Sequence, residues 1–143
     1  MPEMISQGNG VPTLTPQHHA NADVKTAFVD LLFKGDWDAM APLVHPEFEL
    51  REPDLLAYGG VHKGLDGFKK CWELIPQTGH KTDYLTTLGC YFSEDPNSMI
   101  VELDVKGHNS NTGVKFASKV MEQFDFKDGK IVAISLYWFN LPG

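Results

Sequence analysis

FELREPDLLAYGGVHKGLDGFKKCW, residues 48–72, reads as a strand, a tight glycine corner and a helix. Side chains alternate between the two faces of a strand. Phe48, Leu50 and Glu52 therefore share one face, and Glu47, Glu49 and Arg51 share the other. If the wholly charged face meets water, Glu52 is carried inward at the end of an apolar row; the alternative is a frayed, solvated strand end. A carboxylate among apolar neighbours is costly unless it is paired or functional. Tyr58-Gly59-Gly60 marks a sharp bend, for which glycine supplies the backbone angles. After the bend, Leu65, Phe68, Trp72 and Ile75 fall on one face of a helix over residues 65–75, which Pro76 and Gly79 break.

Downstream of Gly79 the hydrophobic period becomes two. Extended segments are expected over residues 80–92, 99–107, 114–126 and 130–140. Asp95-Pro96-Asn97, Asn109-Ser110-Asn111 and Lys127-Asp128-Gly129 supply the turns. Consecutive strands with short connections form an antiparallel meander. In the third of these segments Val114, Phe116, Ser118, Val120, Glu122, Phe124 and Phe126 share a face, on which Glu122 is the only charged residue. Two strands thus each carry one carboxylate toward the apolar side; for Glu122 the alternative is a structural salt bridge with a Lys or a place at a dimer interface. The aromatic run Tyr137-Trp138-Phe139 ends the last strand, where it would line or close one end of a pocket, or else serve the core or an interface.

Upstream, Thr15 and Pro16 make a helix start, and Val24, Phe28, Leu31 and Leu32 recur on one helical face until Gly35. Asp36 caps a second helix over residues 37–44, which Pro46 stops. Residues 1–14 contain Pro, Gly, Ser, Asn and Gln without periodicity and read as a flexible arm, leaving residues 15–143 as one domain. Helices first and strands afterwards give the α+β class.

At 143 residues the chain suits one domain with a core of its own. Its formal charge of −7, with Arg51 the only arginine, argues against nucleic acid or an anionic membrane as partner. Cys71 and Cys90 lie in apolar contexts without metal-ligand spacing and read as reduced thiols, which makes the cytoplasm the expected compartment. No HxH or HxxxH pair, phosphate loop or G-x-S-x-G motif occurs, so neither metal nor cofactor is expected.

KGDWDAMAPLVHPEFELREP (residues 34–53), YGGVHKGLDGF (residues 58–68) and FDFKDGKIVAISLYW (residues 124–138) carry a family resemblance. The chain resembles the nuclear transport factor 2-like superfamily, in particular its SnoaL-like polyketide cyclases and steroid delta-isomerases. The resemblance covers roughly residues 17–140. It implies a cone-shaped fold: three N-terminal helices packed on a strongly curved, mainly antiparallel sheet that encloses a pocket. In ketosteroid isomerases of this fold a general-base Asp ends the first strand before a Pro; Glu52, followed by Pro53, stands there. A second, protonated Asp precedes a Phe-x-Phe pair; Glu122, ahead of Phe124 and Phe126, stands there. A first-helix Tyr seven residues before a Gly-Asp pair is replaced by Phe28, which has no hydroxyl.

Moving a proton next to a carbonyl needs a base at the carbon and a donor at the enolate oxygen. Glu52 and Glu122 are the candidate catalytic pair, Glu52 as ionised base and Glu122 as neutral donor, with Tyr58, His62 or Tyr84 to supply the missing hydrogen bond. Phe28, Tyr58, His62, Trp72, Tyr84, Phe116, Val120, Phe124 and Trp138 are the candidate substrate-binding residues. The expected ligand is a small hydrophobic carbonyl compound, polyketide- or steroid-like, in a metal- and cofactor-free isomerase, cyclase or lyase. The alternative is a non-catalytic module that binds a small ligand or dimerises. Leu85, Val132, Ile134 and Trp138 are expected on one outer sheet surface, where they would form a homodimer interface.

Overall fold

Thr15 caps the first helix, α1 (Pro16–Lys34), with Pro16 in its first turn and Gly35 closing it at φ 71°. The computed structural model describes residues 13–142. The expected arm over residues 1–14 therefore falls mostly outside the described residues. His18 completes the cap, because the Thr15 amide donates to its Nδ1 at 3.0 Å. Its Nε2 lies 2.8 Å from the Ser93 carbonyl, so that nitrogen carries the proton and Nδ1 accepts. Asn21, fully buried, donates to the Pro96 carbonyl at 2.7 Å. These two side chains tie α1 to the turn over residues 93–97.

The second helix is shorter than expected. α2 (Trp37–Met40) is capped by Asp36 and runs into a 3-10 turn, Ala41–Leu43, and β1 (Val44–Glu52) starts at once. Pro46 disfavours helical angles at the residue before it, so the extended chain begins upstream of the proline rather than after it. A short strand that periodicity does not reveal, β2 (Gly60–Lys63), leaves the corner. α3 (Gly64–Gln77) extends two residues beyond the expected end, with Pro76 in its last turn. Four strands then complete the chain: β3 (His80–Phe92), β4 (Ser98–Asn109), β5 (Lys115–Lys127) and β6 (Lys130–Trp138).

The six strands form one sheet in the order β2-β1-β6-β5-β4-β3. The meander from β3 to β6 is antiparallel, as expected. The last strand then pairs in parallel with the first, so β6 occupies the interior of the sheet between β1 and β5. Asp128 and Gly129, at φ 54° and 74°, make the two-residue turn that the right-handed strand twist favours between β5 and β6.

The inner face packs against the helices. Phe48 stacks on Phe68 at 6.0 Å between ring centroids, and Phe28 meets the same ring at 5.7 Å. The expected alternation holds in β1 and β5: Phe48 and Leu50 are buried while Arg51 is exposed, and Phe116, Ser118, Val120, Phe124 and Phe126 are all buried. It fails in β3. Register shifts lie between Thr82 and Tyr84 and between Thr87 and Gly89. Each is a bulge that inserts one residue and inverts the facing of the residues after it.

The surface expected for dimerisation is not one surface. Ile134 is 2% exposed and faces inward, as does Trp138, and Leu85 lies at the cavity mouth. The outer face instead carries Tyr84, Tyr91, Met121 and Tyr137 among charged residues such as Glu102, Asp104, Lys106 and Lys119. No helix among the described residues is long and apolar enough to cross a membrane.

Gly107 shows how closely the wide end of the sheet is packed. It faces Phe116 across the β4–β5 ladder. A Cβ there would collide with the Lys81 carbonyl and come within 2.6 Å of the Phe116 ring. Gly107→Val is expected to destabilise the fold by about 1–3 kcal/mol through overpacking, read as a shifted urea midpoint. Parental stability would show that this end of the sheet is loosely packed.

Candidate functional site

The concave face of the sheet, flanked by α1 and α3, lines a half-open cavity of about 710 Å³. Its walls are mostly apolar: Leu32, Leu50, Phe68, Leu103, Val105, Val120, Ile134 and Leu136. Phe33 and Trp72, in edge-to-face contact at 5.9 Å, stand on its helical side. A few polar groups converge on this space: Glu52, Glu122, Tyr58, His80, Thr82 and Cys71.

The two carboxylates reach the cavity through sheet register. Glu122 is opposite Leu136 on β6. Glu52 follows the Arg51–Ser135 pair on the other side of β6, so it too flanks Leu136. Two strand spacings separate them, roughly 10 Å between backbones. Their side chains lean into the same apolar volume.

Burial pushes the Glu52 carboxyl up to about 7; the Trp138 indole opposes this and the Glu122 charge adds to it. The Trp138 Nε1–H donates to Glu52 Oε1 at 3.3 Å. Burial also pushes Glu122 up to about 7, opposed by the Lys25 ammonium on α1. Among the described residues no group donates a hydrogen bond to Glu122. The indole bond makes Glu52 the better ionised form of the pair. Glu122 has no such donor, and the Lys25 charge is what favours its ionised form.

Tyr58 comes from the corner between β1 and β2. It is 3% exposed, and burial followed by the Glu52 charge raises its hydroxyl pKa well above the usual value. Its Oη lies 3.2 Å from His80 Nδ1. His80 Nε2 lies 3.2 Å from Thr82 Oγ1. Burial lowers the His80 pKa, so the ring is neutral near pH 7. Cys71 Sγ–H points to the Tyr58 carbonyl at 3.7 Å, and burial pushes its thiol up to about 12. It is an inert thiol. Tyr58, His80 and Phe116 also border a second, smaller cavity of about 230 Å³.

Of the expected site residues, Glu52, Glu122, Tyr58, Trp72, Val120 and Trp138 line the main cavity together. Phe28 and Phe124, each 1% exposed, belong to the core behind it. Phe116 packs on His80 at 4.9 Å and faces the smaller cavity. His62 donates from Nε2 to the Tyr58 carbonyl at 2.9 Å, and so supports the corner rather than the cavity. Tyr84 is outside altogether: the bulge after Thr82 turns it to the convex face, where Lys106 Nζ sits 5.3 Å from its ring centre. Of the three candidates for the missing hydroxyl, Tyr58 alone reaches the cavity.

His80 is a cavity residue absent from the candidates above. Histidine spacing tests for metal ligands and passes over it. The available signal is positional: His80 and Thr82 share a face at the start of a strand, directly after the Gly79 break.

The SnoaL-like domain family matches this chain over residues 26–134. No functionally curated protein matches the sequence. Several solved structures share its fold. Bal32a, from a soil-derived mobile gene cassette, is 16% identical over 87% of this chain and 92% of its own, with a TM-score of 0.70. A Jannaschia sp. CCS1 protein named "Putative SnoaL-like polyketide cyclase" is 11% identical over 90% and 91%, with a TM-score of 0.70. TerC, co-crystallized with polyporic acid, is 17% identical over 83% and 91%, with a TM-score of 0.65.

Proposed function

Because the chain belongs to the SnoaL-like domain family, with a carboxylate pair in an apolar cavity, we propose that it is a cofactor-independent acid/base enzyme. It acts on a small hydrophobic carbonyl compound, as an isomerase, cyclase or lyase. One observation carries this reading: two carboxyl groups from separate strands line one half-open apolar cavity, and among the described residues only Glu52 receives a hydrogen bond. Glu52, held by Trp138, is the base that takes the proton next to the carbonyl. Glu122 stays protonated and donates to the oxygen as negative charge develops there. Tyr58 supplies a second donor. Paired carboxyl groups whose environments divide the acid and base roles are a known solution to enolisation, and the ketosteroid isomerase example supports the analogy.

The cavity is large enough for a fused two- or three-ring compound, and its aromatic and aliphatic walls favour a planar one. TerC, which shares the fold, was crystallized with polyporic acid. This supports a small organic ligand for this chain as well.

The test is a carboxyl-labelled NMR titration with and without 2-naphthol, an enolate mimic, using Glu122→Gln to assign the signal. Glu122 is expected to titrate near 7 and to rise further when 2-naphthol occupies the cavity and accepts its hydrogen bond. A value in the ordinary glutamate range, unmoved by 2-naphthol, would overturn the mechanism and leave a binding module.

A further inference from the structure

The histidine at the head of β3 touches both cavities, yet the proposed proton transfer does not use it. Both of its ring nitrogens have partners: Nδ1 meets Tyr58 Oη at 3.2 Å and Nε2 meets Thr82 Oγ1 at 3.2 Å. Aromatic rings surround it, with Phe116 at 4.9 Å, Tyr58 at 5.7 Å and Trp138 at 6.2 Å between centroids. The ring is therefore held in one orientation between a phenol and a hydroxyl. Tyr58 and His80 arrive from different parts of the chain, 22 residues apart.

We infer that His80 is a positioning residue, whose Nδ1–H donates to Tyr58 Oη so that the phenol's own proton is free to point into the cavity. The order of donation rests on what each group can do. Neutral imidazole has one donor and one acceptor. A phenol that gives its one proton to a substrate oxygen can meet His80 only as an acceptor. In that tautomer Nε2 is an acceptor, and the Thr82 Oγ1–H, which can rotate to suit, donates to it. The chain runs Thr82 to His80 to Tyr58 to the carbonyl oxygen, each bond polarising the next. The opposite tautomer would draw the phenol proton onto Nδ1 and leave Tyr58 as an acceptor only. The relay also accounts for the residue at position 28: the hydroxyl missing from α1 is supplied from the β1–β2 corner, with a histidine to orient it.

This inference deepens the proposed function and rests on it, but its first test does not. Nitrogen-15 NMR of the free protein reads the tautomer directly. A His80 ring protonated at Nδ1 and bare at Nε2 is expected; protonation at Nε2 would overturn the relay and leave the carboxylate mechanism standing. Binding of 2-naphthol supplies the second test. His80→Phe and Tyr58→Phe are each expected to weaken it about tenfold, the scale of one hydrogen bond. The double variant should be no weaker than Tyr58→Phe alone. His80→Asn, whose amide nitrogen can stand where Nδ1 stood, should restore most of the loss. If His80→Phe unfolds the chain, the Asn variant and the tautomer measurement still decide. Independent, additive losses, or no rescue by Asn in a folded protein, would reduce His80 to a packing residue. A parent protein that fails to bind 2-naphthol would overturn both proposals.

Discussion

Glu122→Gln is expected to be more stable than the parent at pH 8 by about 3 kcal/mol, and nearly equal to it at pH 4.5. The carboxyl stands at about 7 in the fold against 4.5 for an ordinary glutamate. The folded state therefore binds the proton more tightly than the unfolded chain. For a group raised in this way, its contribution is fully present below the unfolded pKa and is lost as pH climbs from about 4.5 through about 7. A shift of that size is worth about 3 kcal/mol. Glutamine cannot ionise, so the variant escapes the loss. Urea unfolding at the two pH values reads the difference. A variant that is less stable at pH 8 would mean that Glu122 is ionised and held by Lys25, and the neutral donor would be lost from the mechanism.

Glu52→Gln should lower the rate of α-proton exchange by about 10²–10⁴-fold, the range for removal of a positioned general base. The assay needs no knowledge of the natural product: deuterium uptake from solvent at the carbon next to the carbonyl of 2-tetralone, followed by NMR. The base acts ionised and the donor acts protonated. Glu52 and Glu122 both stand at about 7. The rate should therefore rise toward neutral pH as Glu52 ionises, and fall above it as Glu122 ionises. Exchange in Glu52→Gln at the parental rate would remove Glu52 from the chemistry.

The carboxylates are legible in the sequence because each lies on an uninterrupted stretch of alternation. Phe48 and Leu50 fix the facing of Glu52, and Val120 and Phe124 fix that of Glu122. The same rule misplaces Tyr84, because the bulge after Thr82 leaves no mark in hydrophobicity. His80 and Thr82 precede the first bulge and keep the facing that Tyr84 loses. Phe28 and Phe124 carry the residue type of a cavity wall, and composition cannot separate a wall from the core one layer behind it. Trp138 fits both a pocket and an outer interface when only the sequence is read; its partner, Glu52, lies 86 residues away, and only register across β6 decides between the two. β2 and its pairing with β1 are too short for a periodic signal.

The strand that joins the two carboxylates is the last of the six to be made. Without residues 130–138, β1 and β5 would each present an open edge, and the sheet would be two unjoined parts. Closing it requires β6 to return to β1 across most of the domain, a contact of high sequence separation that forms slowly. Before that event Glu52 has no indole and both carboxyl groups meet water. The newborn chain is therefore most exposed to misassociation at the very gap that later becomes the floor of its cavity.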